Sequence, residues 1–230
     1  MTIDVGNRLI AAIDAPDRTG AAALVSRLGG VPSWYKIGLE LFCAEGPALV
    51  KAFVERGRSI MLDLKLHDIP ETVARATERL ANLGAGMLTV HAGGGRAMLE
   101  AAVSEKRGLQ ILAVTVLTSL DEADLAEIGA LGSVEELVRK RSELAIAAGC
   151  DGVVASPYEV AAIRAIAPPG FLVITPGVRP AGSAPDDQKR VMTPKEARAA
   201  GADMIVLGRP LREAADPAAA ARAVVAELAD

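Results

Sequence analysis

Aromatic side chains are scarce. Phe, Tyr and Trp make up 3% of the 230 residues, although 51% of the chain is hydrophobic. The apolar content is therefore Ala, Val, Leu and Ile, which suits helices packed over buried parallel strands. Without a basic stripe interleaved with aromatics, and with a net charge of −4, the chain gives no reason to expect a nucleic-acid partner. Cysteine is nearly absent: Cys43 and Cys150 are the two present, too few for a disulfide framework. Free thiols in a reducing compartment are the favoured reading. No apolar run approaches the ~20 residues that a membrane span needs, so no membrane partner is expected. Residues 1–8 lack a positive stretch followed by an apolar one, so no signal peptide is indicated and a cytoplasmic location is expected. No Cys or His pair has zinc-ligand spacing, and no GxGxxG fingerprint with a following acid occurs.

What the chain does contain is alternation. Short apolar runs at 9–14, 34–40, 59–65, 87–91, 109–117, 152–155, 171–175 and 204–207 read as strands. Amphipathic stretches such as 71–82, 96–106, 133–148, 158–166 and 217–228 read as helices. The strands are near-continuous apolar runs, as expected when both sheet faces are covered. A weak repeat links Asn82-Leu83-Gly84-Ala85-Gly86-Met87, Ala148-Gly149-Cys150-Asp151-Gly152-Val153 and Ala200-Gly201-Ala202-Asp203-Met204-Ile205. Each closes a helix, turns on Gly and enters a strand, with Gly supplying the left-handed cap. Such joints build either an open doubly wound sheet or a closed barrel. Eight units in 230 residues favour a single-domain (β/α)8 barrel, a TIM barrel, over residues 1–230. No linker divides the chain, and 179–190, rich in Gly, Pro and Asp, reads as an active-site loop after the seventh strand.

In a barrel the C-terminal strand ends carry the chemistry. Here those ends hold polar residues in otherwise apolar runs: Asp14, Lys36 with Glu40, Asp63 with Lys65, His91, Thr118, Arg179 and Arg209. The densest piece is Asp63-Leu64-Lys65-Leu66-His67-Asp68-Ile69-Pro70-Glu71-Thr72. Asp63 and Lys65, two apart in a strand, share a face. A mere charged strand edge is disfavoured, because a buried charge costs several kcal/mol unless paired. Interleaved lysines compete with a cation for the carboxylates, so the pattern argues for charge and proton chemistry without a metal. A Lys held between carboxylates stays protonated, ready to stabilise a carbanion and donate to it.

A second constellation, Pro176-Gly177-Val178-Arg179 and Gly208-Arg209, follows the seventh and eighth strands, where barrels often bind phosphate. Glycine amides and a bidentate Arg suit a phosphate dianion, although tight turns alone also call for Gly. Gly93-Gly94-Gly95 fits an anion cradle or a flexible turn. His91 reads as a structural hydrogen-bonding residue and His67 as a solvated one. Glu40 is either a partner of Lys36 or a strand-end charge.

These residues resemble a known family. Asp63-x-Lys65-x-x-Asp68-Ile69-Pro70-x-Thr72 is similar to the signature of the orotidine 5′-phosphate decarboxylases. Residues 36–42 resemble that family's second strand and Leu117-Thr118-Ser119 its fifth-strand exit. Thr175-Pro176-Gly177-Val178-Arg179, Gln188 and Gly208-Arg209 resemble its phosphate-binding end. The likeness runs from Arg8 to Arg209 without a departure at a motif position. The Asp-x-Lys-x-x-Asp core is shared with sugar-phosphate relatives; its combination with Lys36 and Gln188 is more specific.

The resemblance implies decarboxylation of orotidine 5′-monophosphate to UMP in pyrimidine synthesis, with no cofactor. It makes Lys65 the proton donor to C6, Asp63 the neighbour of the departing carboxylate, and Lys36 and Asp68 the rest of a charged array. It assigns Asp14 and Lys36 to the ribose, Thr118 to the pyrimidine, and Gln188 and Arg209, with the loop at Arg179, to the phosphate. It also implies a homodimer in which Asp68, Ile69 and Thr72 reach the neighbouring active site. A Mg²⁺-dependent sugar-phosphate enzyme and a nucleotide-binding regulator without chemistry are the rival readings.

Overall fold

Arg8 opens the described part of the computed structural model, which covers residues 8–180 and 192–229. Strand and helix alternate from there onward. The first half holds β1 (Leu9–Ala12), α1 (Arg18–Arg27), β2 (Trp34–Gly38), α2 (Leu39–Val54), β3 (Ser59–Leu66), α3 (Pro70–Ala81), β4 (Met87–His91) and α4 (Arg96–Ser104). Next come β5 (Gln110–Val114), α5 (Glu122–Glu127), α6 (Val134–Ala147), β6 (Gly152–Val154) and α7 (Val160–Arg164). The chain then runs through β7 (Leu172–Thr175), α8 (Pro194–Ala199), β8 (Met204–Leu207), α9 (Arg209–Arg212) and α10 (Pro217–Glu227). All eight strands pair in parallel, in chain order, and β8 returns to β1, so the sheet is a closed barrel. The open-sheet alternative is thereby excluded.

Alternation along each strand separates two cores. Ile10, Ala12, Met61, Met87, Leu112, Val114, Val154, Ile174, Met204 and Val206 fill the barrel interior. Their neighbours, such as Leu9, Ala11, Ile37, Ile60, Leu62 and Val90, face the helices. Both faces are apolar, which is why the strands read as continuous hydrophobic runs.

The repeated joint seen in the sequence has a structural meaning. Gly86, Asp151 and Asp203 occupy equivalent places: their amides donate to Ile60, Ile111 and Val173 carbonyls, each at 2.9 Å. The two aspartates also staple the preceding strand. Asp151 Oδ2 accepts the Ile111 amide at 2.8 Å and pairs with Lys106. Asp203 Oδ2 accepts the Val173 amide at 2.8 Å and pairs with Arg164. At the third joint Gly replaces Asp because a Cβ on Gly86 would lie 2.6 Å from the Trp34 ring, which closes the barrel floor there. Two residues earlier, Gly84, Gly149 and Gly201 all have positive φ, as the cap reading requires.

Element edges differ from the sequence expectation. The first strand stops at Ala12, the second at Gly38 and the fifth at Val114, while β3 runs on to Leu66. Glu40 therefore lies in the first turn of α2, exposed, and not on a strand. Among the described residues no helix is long and apolar enough to cross a membrane.

Candidate active site

The site begins with a fault in β3. Leu62 pairs with Leu88, but the next paired residue is Leu66, opposite Val90. Asp63, Leu64 and Lys65 thus fill an interval that β4 crosses with Thr89 alone. Lys65 has φ 48, a left-handed conformation that costs a non-glycine residue roughly 1–2 kcal/mol. Its surroundings hold it there: the Lys65 amide donates to Thr89 Oγ1 at 2.9 Å. Asp63 and Lys65 do meet, as their spacing predicts, but across a bulge instead of a regular pleat.

The result is an alternating chain of charge at the C-terminal strand ends. Lys36 Nζ lies 3.2 Å from Asp14 Oδ1 and 3.4 Å from Asp63 Oδ2, and Lys65 Nζ lies 2.8 Å from Asp63 Oδ1. Burial alone would push the Asp63 carboxyl up. The ammonium groups of Lys36 and Lys65, with hydrogen bonds from Lys65 and Thr89, outweigh it and hold that carboxyl below the usual carboxylate range. The Lys36 side chain is 12% exposed and shared between two carboxylates, whereas Lys65 is 33% exposed and bound to one. Lys65 is therefore the ammonium with donors left for an incoming group. Both carboxylates of the array are taken up by lysines, and among the described residues no three His, Cys, Asp or Glu side chains cluster as a metal would need.

Across the same rim, a cleft of about 950 Å³ opens among the ends of the later strands, lined in part by Thr118, Ser156, Gly177 and Arg209. Its size suits a small molecule. Asp63 and Lys65 are not in its wall; Gly208 links the two regions, since a Cβ there would touch Asp14 Oδ2 at 3.5 Å.

Several other residues predicted from sequence stand apart from the array within this chain. Asp68, Ile69 and Thr72 are exposed, and the Asp68 carboxylate accepts its own neighbour's amide, Ile69 N–H, at 2.6 Å. Pro176 is half-buried, and Arg179 donates its amide to the Met192 carbonyl at 2.9 Å. Gln188 lies outside the described residues. Glu40 is not the partner of Lys36, whose carboxylates are Asp14 and Asp63. His91 does make a structural hydrogen bond, Nδ1 accepting the Gly93 amide at 3.2 Å. His67 is exposed but not merely solvated, because its ring stacks on that of His91.

Thr89 and Arg212 escaped the sequence reading. Thr89 is fully buried and its hydroxyl donates to Asp63 Oδ1 at 3.1 Å. Its signal was present as a lone hydroxyl inside the apolar run of residues 87–90. Arg212 donates to the Asp14 carbonyl at 3.4 Å from one turn beyond the Gly208-Arg209 motif.

Eight parallel strands closed on themselves, with ionisable side chains gathered at their C-terminal ends, define a (β/α)8-barrel enzyme. The sequence profile of the Orotidine 5′-phosphate decarboxylase / HUMPS family matches residues 7–224. The chain belongs to that family, and it is a carboxy-lyase. An orotidine 5′-phosphate decarboxylase of Anaeromyxobacter sp. (strain K) is 54% identical over 96% of this chain and 98% of its own. One of Moorella thermoacetica is 51% identical over 96% and 92%. The crystal structure of orotidine 5′-phosphate decarboxylase from Lactobacillus acidophilus superposes with a TM-score of 0.88 at 35% identity, over 97% of this chain and all of that one.

Proposed function

We propose that this enzyme converts orotidine 5′-monophosphate to UMP in pyrimidine biosynthesis, with no cofactor, as a cytoplasmic homodimer. The observation that carries the reading is the alternation of Asp14, Lys36, Asp63 and Lys65 at 2.8–3.4 Å, ending on the Lys65 ammonium. The bond from C6 to the carboxylate carbon breaks, CO₂ leaves, and the electron pair stays on C6. Lys65 faces that developing charge and transfers a proton from Nζ to C6; solvent then returns a proton to the amine. A cation that meets charge absent from the bound substrate lowers the barrier and not merely KM. Asp63, kept ionised, fixes Lys65 and lies beside the departing carboxylate.

Asp14 and Lys36 hold the ribose hydroxyls, and Thr118 borders the pyrimidine. Pro176, Arg179, Gln188, Gly208 and Arg209 bind the phosphate. Asp68, Ile69 and Thr72 complete the partner subunit's site, which accounts for Ile69 being 66% exposed on the monomer.

Incubation of the purified protein with orotidine monophosphate, with and without a chelator, tests this by loss of ultraviolet absorbance. The expected outcome is turnover that the chelator leaves unchanged. Lys65→Ala should lose at least about 10⁴-fold in kcat while still binding nucleotide. Turnover abolished by the chelator, or full activity in Lys65→Ala, would overturn the reading.

A further inference from the structure

Between Leu66, the last residue of β3, and Pro70, the first of α3, the chain crosses His67, Asp68 and Ile69, all exposed. The side chain that ties this stretch to β4 is the ring of His67. It stacks on His91 with centroids 5.1 Å apart and planes 13° from parallel. These are the only two histidines in the sequence. His91 ends β4 on the inward side, two residues after Thr89. Its Nδ1 accepts the Gly93 amide at 3.2 Å, so the neutral ring carries its proton on Nε2. Arg141 of α6 donates to the Thr115 carbonyl at 2.6 Å and closes the other side. A Cβ on Gly93 would lie 3.1 Å from His91 Nδ1 and 3.4 Å from Arg141 Nη2. Glycine is what lets imidazole and guanidinium share this corner.

We propose that His67 and His91 are positioning residues: the stacked pair fixes the path from Lys65 to Asp68 and thereby where the Asp68 carboxylate is presented. The consequence for rate rests on the decarboxylase reading; the positioning itself does not. The groups that act on His91 are Arg141 from α6, His67 from the β3–α3 turn and Lys65 from β3. Each is cationic when charged, so a proton on Nδ1 would break the Gly93 bond and set like charges together. Burial is the largest cause and these cationic neighbours add to it, so the His91 imidazole is pushed down to about 4. His91 is thus neutral wherever the array works. Three residues without a ladder bond have freedom to wander, and a displacement of about 1 Å in a reacting constellation can cost about 10²-fold in rate.

The test compares His67→Ala, which removes the stack, with His67→Phe, which keeps a ring. Three quantities are read: kcat and KM on orotidine monophosphate, the melting temperature, and deuterium exchange of a peptide covering residues 66–73. His67→Ala should lower kcat roughly 10- to 100-fold, with KM and melting nearly unchanged and exchange over 66–73 accelerated. His67→Phe should recover to within about threefold in kcat and regain slow exchange. Wild-type exchange in His67→Ala, or a Phe variant as impaired as the Ala one, would overturn the inference. If the wild type itself releases no CO₂, the decarboxylase reading fails, and the exchange comparison alone decides the positioning role.

Discussion

Two opposing forces act on the Asp63 carboxylate, and the balance between them sets the acid behaviour of the site. Desolvation favours the neutral acid; two ammonium groups and two hydrogen bonds favour the anion and prevail. The folded pKa is therefore below the ordinary 3.8, and the group contributes stability that is complete above that value and lost as pH falls through the lowered one. His91 acts earlier. Its folded pKa is about 4 against an ordinary 6.5, so between those values the unfolded chain takes up a proton that the folded one refuses. Stability should decline from pH 6.5 to about 4, then again below 3.8. His91→Phe should flatten the first limb and leave the second, which urea titrations across pH would reveal. Thr89 bears on the same carboxylate. Thr89→Val keeps shape but strips a donor from Asp63 and an acceptor from the Lys65 amide. It should cost about 1–3 kcal/mol and lower kcat by about tenfold, measured by denaturation and by steady-state rates.

At the scale of elements, the joints between helix and strand carry the stability of the barrel floor. Asp151 and Asp203 each satisfy a strand amide and a half-buried cation at the end opposite the site. Asp203→Ala should cost about 1–3 kcal/mol by leaving the Val173 amide unmatched and Arg164 with only the Gly201 and Phe171 carbonyls, lower the melting temperature, and leave kcat unchanged because the damage is at the stability face. These joints were legible in the sequence as repeated Gly turns from helix into strand, since a helix end, a left-handed turn and a strand start each demand particular residue types; the stapling by Asp151 and Asp203 was not. Strand order followed from the same alternation, and Asp63 with Lys65 stood out as charges in an apolar run. The bulge in β3 was not legible. A left-handed glycine announces itself, but Lys65 at φ 48 is held by Thr89 from another strand, and no local pattern records that. Strand ends were misjudged for a related reason: 115–117 continues the apolar run, and Thr115 still donates its amide to Val154, although the ladder has ended. Glu40 looked like a strand residue because Gly38, where β2 turns into α2, carries no side chain to break the pattern.

Across the whole molecule, polarity is divided between the two ends of the barrel, with staples on the floor and the charged array at the rim. Among the described residues Lys36 sits between two acids, whereas Lys65 touches one, and Asp68 of the same chain turns to its own backbone and is exposed. Ile69 beside it is 66% exposed. In the proposed two-fold dimer an isologous contact would cover Ile69 and bring each Asp68 to the other subunit's Lys65. This arrangement makes a prediction that no single-chain site shares. Lys65→Ala and Asp68→Asn homodimers should each be nearly inactive. In a hybrid of the two, one site unites the lysine of the Asp68→Asn chain with the aspartate of the Lys65→Ala chain, while the other site lacks both. Equal mixing by refolding yields hybrids as half of all dimers, each with one sound site, so activity should return to about one quarter of wild type. If Asp68 served its own chain, every site in the mixture would lack one residue, and mixing would restore nothing.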